Sequence, residues 1–204
     1  VYGVDINEDA VNKTCLRAEA YGVKEKVVLS YVEKTYSLSY ENEYFDAVFV
    51  NDVIEHIVDE RGKYIRETCR VLKNKGLLFI TGTPNLLYAK DRHTTGLYFI
   101  PWLSSEMAYR YAIFRKKWTP GKNLDYAGRK GTTYWHIKHW LKGFNYDVMN
   151  LKSDFTSKYL NNSNRLNSFK RKILFFPYKI SEFILTKFFK LPVTAVMPYI
   201  NHLF

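Results

Sequence analysis

The amino-acid sequence predicts an α/β fold built on a doubly wound, mostly parallel sheet. Two near-continuous β-rich runs, Phe45–Asn51 (FDAVFVN) and Leu77–Gly82 (LLFITG), read as strands buried on both faces. Helical periodicity lies between them, and short links make strands and helices alternate, which implies right-handed crossovers. In chain order, Val1–Asp5 is a short apolar strand ending in an acid. Glu8–Tyr21 spaces Ala10, Val11, Cys15, Ala18 and Ala20 as a helix would, and Gly22 stops it. Lys26–Val32 is a strand. Asp59–Leu72 puts Tyr64, Ile65, Thr68, Cys69, Val71 and Leu72 on one helical side, closed by Lys73–Gly76. From Pro84 to about residue 131 the chain is aromatic, with turn signals at Pro101, Pro120–Gly121 and Gly128–Gly131, and reads as an insertion with one helix at about Ser104–Lys117. Thr132 or Thr133 then caps a helix running to Lys142, and Phe144–Leu151 is a further strand. Residues 1–151 form the main domain and 152–204 a basic C-terminal extension.

Composition narrows the class. The 204 residues are 47% hydrophobic and 25% charged, which excludes disorder and collagen-like repeats. The longest stretches free of Asp, Glu, Lys and Arg, Gly76–Ala89 and Leu191–Phe204, have 14 residues each, short of the roughly 18–25 that a spanning helix needs. Cys15 and Cys69 fall in amphipathic helices and read as reduced core thiols of a cytosolic protein. The net charge of +11 is unevenly placed: −3 over residues 1–86, +7 over 87–151 and +7 over 152–204. The basic part suits an anion, such as a phosphate or an anionic membrane, unless its Lys and Arg merely solubilise an aromatic-rich chain. Nucleic acid is the outsider, because no recognisable DNA or RNA motif occurs.

Ligands of open α/β sheets bind beyond the carboxyl ends of the strands. Asp5 ends the first strand, where an acid can bind both hydroxyls of a ribose, although nicotinamide enzymes place an acid there too. Glu33 follows the next strand and can meet an adenine edge or be a solvated loop acid. The segments VYGVDIN, FDAVFVNDVIEHI (Phe45–Ile57) and RVLKNKGLLFITGTPN (Arg70–Asn85) together resemble class I S-adenosylmethionine-dependent methyltransferases, most of all the branch of the ubiquinone-biosynthesis O-methyltransferases. Tyr31–Thr35 (YVEKT) is similar to that branch as well. The resemblance covers residues 1–85 and implies a Rossmann-like fold with S-adenosylmethionine as cofactor. By it, Asp5 holds the ribose, Glu33 lies near the adenine, and Asn51 meets the methionine part through its backbone. Glu55 and His56 face the cleft in some relatives. There they orient an acceptor hydroxyl, take its proton or bind a divalent ion; otherwise His56 packs at a helix start. A single Glu-His pair supplies too few ligands for a metal site.

The family's first strand and glycine-rich loop have no counterpart: none of the 10 glycines forms a G-x-G. The sequence is therefore expected to be an N-terminally truncated fragment. The block from Thr83 to Tyr111 resembles, more loosely, an insertion in relatives found with surface-polysaccharide and lipid-linked sugar pathways. His93, in a polar loop beside Asp91 and Arg92, is a second catalytic candidate. Tyr98, Phe99 and Trp102 are expected to form a hydrophobic seam that anchors the insertion, although Trp102 falls where an acceptor can be touched. From Phe169, Lys170-Arg171-Lys172 precede an apolar helical face of Ile180, Phe183, Ile184 and Phe188. This tail either lies in a membrane interface or completes the domain, with Val193–Ile200 as an edge strand. The expected function is methyl transfer to an oxygen of a small-molecule or lipid/sugar-linked acceptor. The expected location is cytoplasmic, with peripheral contact to the inner membrane surface. The alternative is a degenerate, non-catalytic remnant that binds a membrane or a partner.

Overall fold

The computed structural model describes residues 1–148, 180, 183–200 and 202–204. Two strand–helix–strand units open the chain. Strand β1 (Tyr2–Asp5) runs through helix α1 (Glu8–Ala20) to β2 (Val28–Tyr31), and β3 (Phe45–Asn51) runs through α2 (Arg61–Val71) to β4 (Leu72–Thr81). Both pairs are parallel. Asn7 starts α1 by accepting a hydrogen bond from the Ala10 amide at 3.2 Å, and Glu8 and Asp9 place acid in its first turn. The Lys73–Gly76 segment is a bulge rather than a clean turn: the partner of β3 jumps from Leu72 opposite Phe45 to Leu77 opposite Ala47.

The expected single sheet is divided. Hydrogen bonds join β1 to β2, and separately β3 to β4 and β5 (His202–Leu203), so β1 and β3 each keep an edge with no ladder partner among the described residues. No described segment supplies a strand between them. Aromatic packing links the two units instead: the Tyr2 ring lies 5.8, 5.7 and 5.4 Å from those of Tyr40, Tyr44 and Phe45.

The main core lies on one face of β3–β4. Val50, Leu78 and Ile80 pack there with Ile54, Tyr64, Ile65, Ile137, Leu141, Ile200 and Phe204. The other face corrects the expectation of strands buried on both sides. Phe49 is 70% exposed and stacks on Phe79 at 4.4 Å, where no described element covers it. Cys15 and Cys69 are free and half-buried. Cys69 packs against the core, and burial pushes its thiol up to about 11.

The segment 84–131, expected to be an insertion, has a core of its own, made by Leu97, Ile100, Ala108, Ala112 and Leu124 around α3 (Ser105–Phe114). The helix begins where expected, and the Ser104 hydroxyl caps it by accepting from the Met107 amide. The expected aromatic seam does not form, because this small core is filled by aliphatic residues. Tyr98, Phe99 and Trp102 are exposed and touch one another loosely, with ring centres 6.3 and 6.0 Å apart, and the Trp102 indole N–H donates to the Leu86 carbonyl at 2.7 Å. Helix α4 (Tyr134–Trp140) begins at Thr133, whose hydroxyl accepts from the His136 amide.

The expected strand at Phe144–Leu151 is absent over residues 144–148, and its remainder lies outside the described residues. The edge of β4 is held instead by sequence-distant chain. Leu78 and Phe204 exchange amide–carbonyl bonds of 2.9 and 2.8 Å, and Ile200 donates to the Thr83 carbonyl at 2.8 Å. Val193–Val196, expected within an edge strand, forms a 3₁₀ turn, and the strand comes later, at His202–Leu203, antiparallel to β4. Most of the segment from 152 to 182, including Lys170-Arg171-Lys172, lies outside the described residues.

Candidate functional site

All three residues expected to hold a cofactor stand at the carboxyl ends of parallel strands, although in two separately bonded sheets. Asp5 ends β1 opposite Tyr31, and Glu33 follows two residues beyond Tyr31. Both acids are exposed, and one Asp5 oxygen accepts from the Asn7 amide at 2.8 Å. Exposed carboxylates on neighbouring strand ends fit a ribose and a base edge. Asn51 ends β3, and its side chain is engaged locally. Its amide donates to Asp52 at 2.9 Å, and its oxygen accepts from the Thr81 hydroxyl at 2.6 Å. Asp52 has φ 51°, and its carboxylate lies so close to Gly82 that a Cβ there would sit 2.1 Å from Oδ1. Gly82, at φ 78°, is thus required by both backbone and space.

Beyond Asn51, the chain turns into a 3₁₀ segment, Ile54–His56, which buries Glu55 completely and leaves His56 at the surface. The Thr83 hydroxyl, just past β4, donates to Glu55 Oε2 at 3.0 Å, while Oε1 is buried with no hydrogen-bond partner. The insertion brings His93 to this oxygen, with Nδ1 at 4.0 Å. His56 and His93 meet edge to face at 5.2 Å, and His56 Nδ1 lies 2.9 Å from the Tyr126 carbonyl. A carbonyl accepts only, so it is Nδ1–H that donates here and Nε2 that faces outward from this bond.

The loop that presents His93 is held by Asp91. Its buried carboxylate accepts from the amides of His93, Thr94 and Thr95 at 3.0, 2.9 and 2.7 Å, and from the Thr95 hydroxyl at 2.6 Å. Gly128 closes the other side, where a Cβ would meet His93 at 2.8 Å and Glu55 at 2.9 Å. Arg61, at the start of α2, ties the whole together by donating to the carbonyls of Gly131 and Lys130, both at 2.8 Å, and of Ile57. Burial pulls its pKa down from the ordinary guanidinium value.

Both sequence-designated histidines therefore meet at one place, with Glu55 between them. Asp91, Thr83 and Gly128 appear in the sequence only as a loop neighbour of His93, the start of the aromatic block and a turn signal, and none of them is assigned there to the site. A groove of about 910 Å³ lies elsewhere, at the amino end of β4 between Lys73, Leu77 and Phe204.

Residues 1–80 match a family model described as a methyltransferase domain. Among solved structures, the PH0226 protein from Pyrococcus horikoshii OT3 is 30% identical, with 41% of this chain and 39% of that chain covered and a TM-score of 0.38. A structure described as a SAM-dependent methyltransferase from Methanosarcina mazei is 26% identical, with 42% of each chain covered and a TM-score of 0.39. The YcgJ protein from Bacillus subtilis is 17% identical over 84% of this chain and 70% of that one, with a TM-score of 0.51, which shows a shared fold. The chain spans 39% and 42% of the lengths of the first two. The matched segment, residues 1–80, is similar to a methyltransferase domain, and the cofactor that goes with this likeness is S-adenosylmethionine.

Proposed function

We propose that this chain, whose first 80 residues match a methyltransferase domain, transfers a methyl group from S-adenosylmethionine to an oxygen of a small-molecule or lipid/sugar-linked acceptor. The observation that carries the reading is the assembly of Glu55, His56 and His93 beside the strand end at Asn51. The bound cofactor supplies an electrophilic methyl group on a sulfonium. Asp5 accepts from the ribose hydroxyls, Glu33 lies at the adenine edge, and the Asn51 backbone meets the methionine part. Catalysis then rests on holding the acceptor oxygen in line with the methyl, and an imidazole of His56 or His93 takes the hydroxyl proton. The reading includes a further strand and a glycine-rich loop between β1 and β3. Among the described residues β1 and β3 each keep an edge without a ladder partner, which supports it.

With that segment in place, Asp5→Ala is expected to weaken S-adenosylmethionine binding by about 1.5–3 kcal/mol, the scale of a charge-assisted hydrogen bond. Calorimetry with unchanged affinity removes Asp5 from the site. The 204-residue chain alone is expected to bind the cofactor weakly or not at all.

The acceptor side of the proposal includes peripheral contact with an anionic membrane. The helical residues 183–188 and their neighbour expose Phe183, Ile184, Phe188 and Phe189, flanked by Lys187 and Lys190. No described helix is long and apolar enough to cross a membrane. Each basic residue near an anionic leaflet adds about 1 kcal/mol, screened by salt. The protein is expected to co-sediment with phosphatidylserine-containing vesicles at low salt, and replacing Lys170, Arg171 and Lys172 by Gln releases much of it. Equal sedimentation with neutral vesicles removes the charge contribution.

A further inference from the structure

We infer that Tyr98, Phe99 and Trp102 form an aromatic platform by which the 84–131 segment seats the protein on an anionic membrane surface. The inference rests on the membrane contact proposed above and assigns it a second surface, separate from the C-terminal helix. Burial divides this stretch sharply. Leu97 and Ile100 enter the small core and Pro101 is buried, whereas Tyr98, Phe99 and Trp102 are 56, 55 and 55% exposed. Leu87, next to the carbonyl that holds Trp102, is exposed as well.

The rings are held out rather than left loose. The Phe99 backbone takes φ 68°, a left-handed conformation rare for a bulky side chain, and its amide donates to the Ala89 carbonyl at 2.5 Å. The Trp102 indole is fixed to the Leu86 carbonyl. In water neither the strained backbone nor a group of exposed rings stabilises the fold, and both mark a surface that meets something apolar.

Charge selects the partner. Residues 84–131 carry nine Lys and Arg against three acids. Each acid is already engaged: Asp91 by backbone amides, Glu106 by Arg110 at 2.7 Å, and Asp125 by Arg129. The Lys90 ammonium stands 5.5 Å from the Tyr98 ring centre, and Lys90 and Arg92, both exposed, border one small cleft with Pro101. Tyr and Trp favour the headgroup level of a bilayer, and cations beside them meet its phosphates. The chain after the C-terminal helix is tied to the same stretch, because the Asn85 amide donates to the carbonyls of Ala195 and Met197 at 2.9 and 2.8 Å. The two membrane surfaces are thus joined through folded chain.

The test is flotation of the full chain with vesicles of phosphatidylcholine and phosphatidylserine, at low and high salt. Phe99→Asn and Trp102→Ser are each expected to lower partitioning by about tenfold, with the loss persisting at high salt because the lost contact is apolar. Asn adopts positive φ readily, so Phe99→Asn is also expected to leave the thermal unfolding temperature unchanged or raised, which a structural role of the ring would not allow. Tyr21→Ser, at an exposed aromatic beyond α1, is expected to change nothing. Lipids brominated in their acyl chains are expected to quench the tryptophan fluorescence of the wild type, and Trp102→Phe to bind while losing most of that quenching. Wild-type partitioning by the Phe99→Asn and Trp102→Ser double variant overturns the inference. So does complete loss of binding when only Lys170, Arg171 and Lys172 become Gln, a result that leaves the contact through the tail standing. Binding that survives those three changes and falls with Phe99→Asn supports the platform, and full survival removes the tail alone. A chain that floats with no vesicle overturns both surfaces and leaves the rings to a protein partner.

Discussion

Replacing Arg129 by Met is expected to destabilise the protein by about 3–5 kcal/mol, the cost of removing one member of a buried ion pair. The Arg129 side chain has no exposed surface. Its Nε donates to Asp125, its Nη1 to the carbonyls of Ile100 and Leu103 at 2.8 and 3.0 Å, and its Nη2 to the Ser105 hydroxyl at 3.2 Å. The guanidinium thus joins the turn before α3, the start of α3 and the loop at 125–129. Met fills similar space but leaves the Ile100 and Leu103 carbonyls without this donor and the buried side of Asp125 with Ser105 alone. Lys keeps the charge and loses the planar fork, so Arg129→Lys is expected to recover only part of the loss. Burial opposes ionisation of Asp125, but hydrogen bonds from Ser105 and Arg129 outweigh it and hold its pKa below the ordinary value. A carboxylate with a depressed folded-state pKa stabilises above its unfolded pKa, about 3.9, and loses that contribution as pH falls through the folded value. The gap between wild type and Arg129→Met is therefore expected to be full at neutral pH and to shrink below about pH 4. Urea unfolding at several pH values checks both points, and a loss under about 1 kcal/mol at neutral pH contradicts the assignment.

Gly131→Ala is expected to cost about 3 kcal/mol or more, beyond the ordinary range for overpacking, because the obstacle is backbone. A Cβ at Gly131 would lie 1.7 Å from the Pro84 oxygen and 2.5 Å from its carbonyl carbon. Neither atom can yield easily. The same Pro84 oxygen accepts from the Thr132 amide at 3.0 Å, the Leu86 amide donates to Thr132 at 2.8 Å, and Arg61 binds the Gly131 carbonyl at 2.8 Å. The two ends of the insertion are thus zipped side by side where β4 ends. Thermal unfolding reads the loss. Gly121→Ala, at a turn with open space around it, is the comparison and is expected to show only the smaller backbone penalty of its φ of 83°.

Much of this architecture is legible in the sequence wherever one element's periodicity settles the matter. β3 begins and ends where FDAVFVN does, α3 starts at the expected place, and Thr133, one of two candidate caps, caps α4. Apolar runs and capping side chains act within a few residues, so a single sequence displays them. What depends on distant partners is hidden. Phe49 reads as core, yet exposure is decided by what lies across the sheet. Phe144–Leu151 reads as a strand, yet strand pairing goes to whichever chain reaches the β4 edge, and Leu203 does. The candidate site shows the same limit. Glu55 and His56 are neighbours in sequence and were visible together, whereas the approach of His93 to Glu55 exists only because Asp91 folds its loop and Gly128 leaves room.

The pairing of Phe204 with Leu78 also has a kinetic meaning. It closes a loop that spans most of the chain, so its entropic cost falls due before any local contact can offset it. The strand–helix–strand unit of β3, α2 and β4 can form from near neighbours, but its core lacks Ile200 and Phe204 until that loop closes. Docking of the distal chain is then the late step in folding and the first to reverse. Strain that reaches this seam would speed unfolding while leaving refolding of the earlier unit almost untouched.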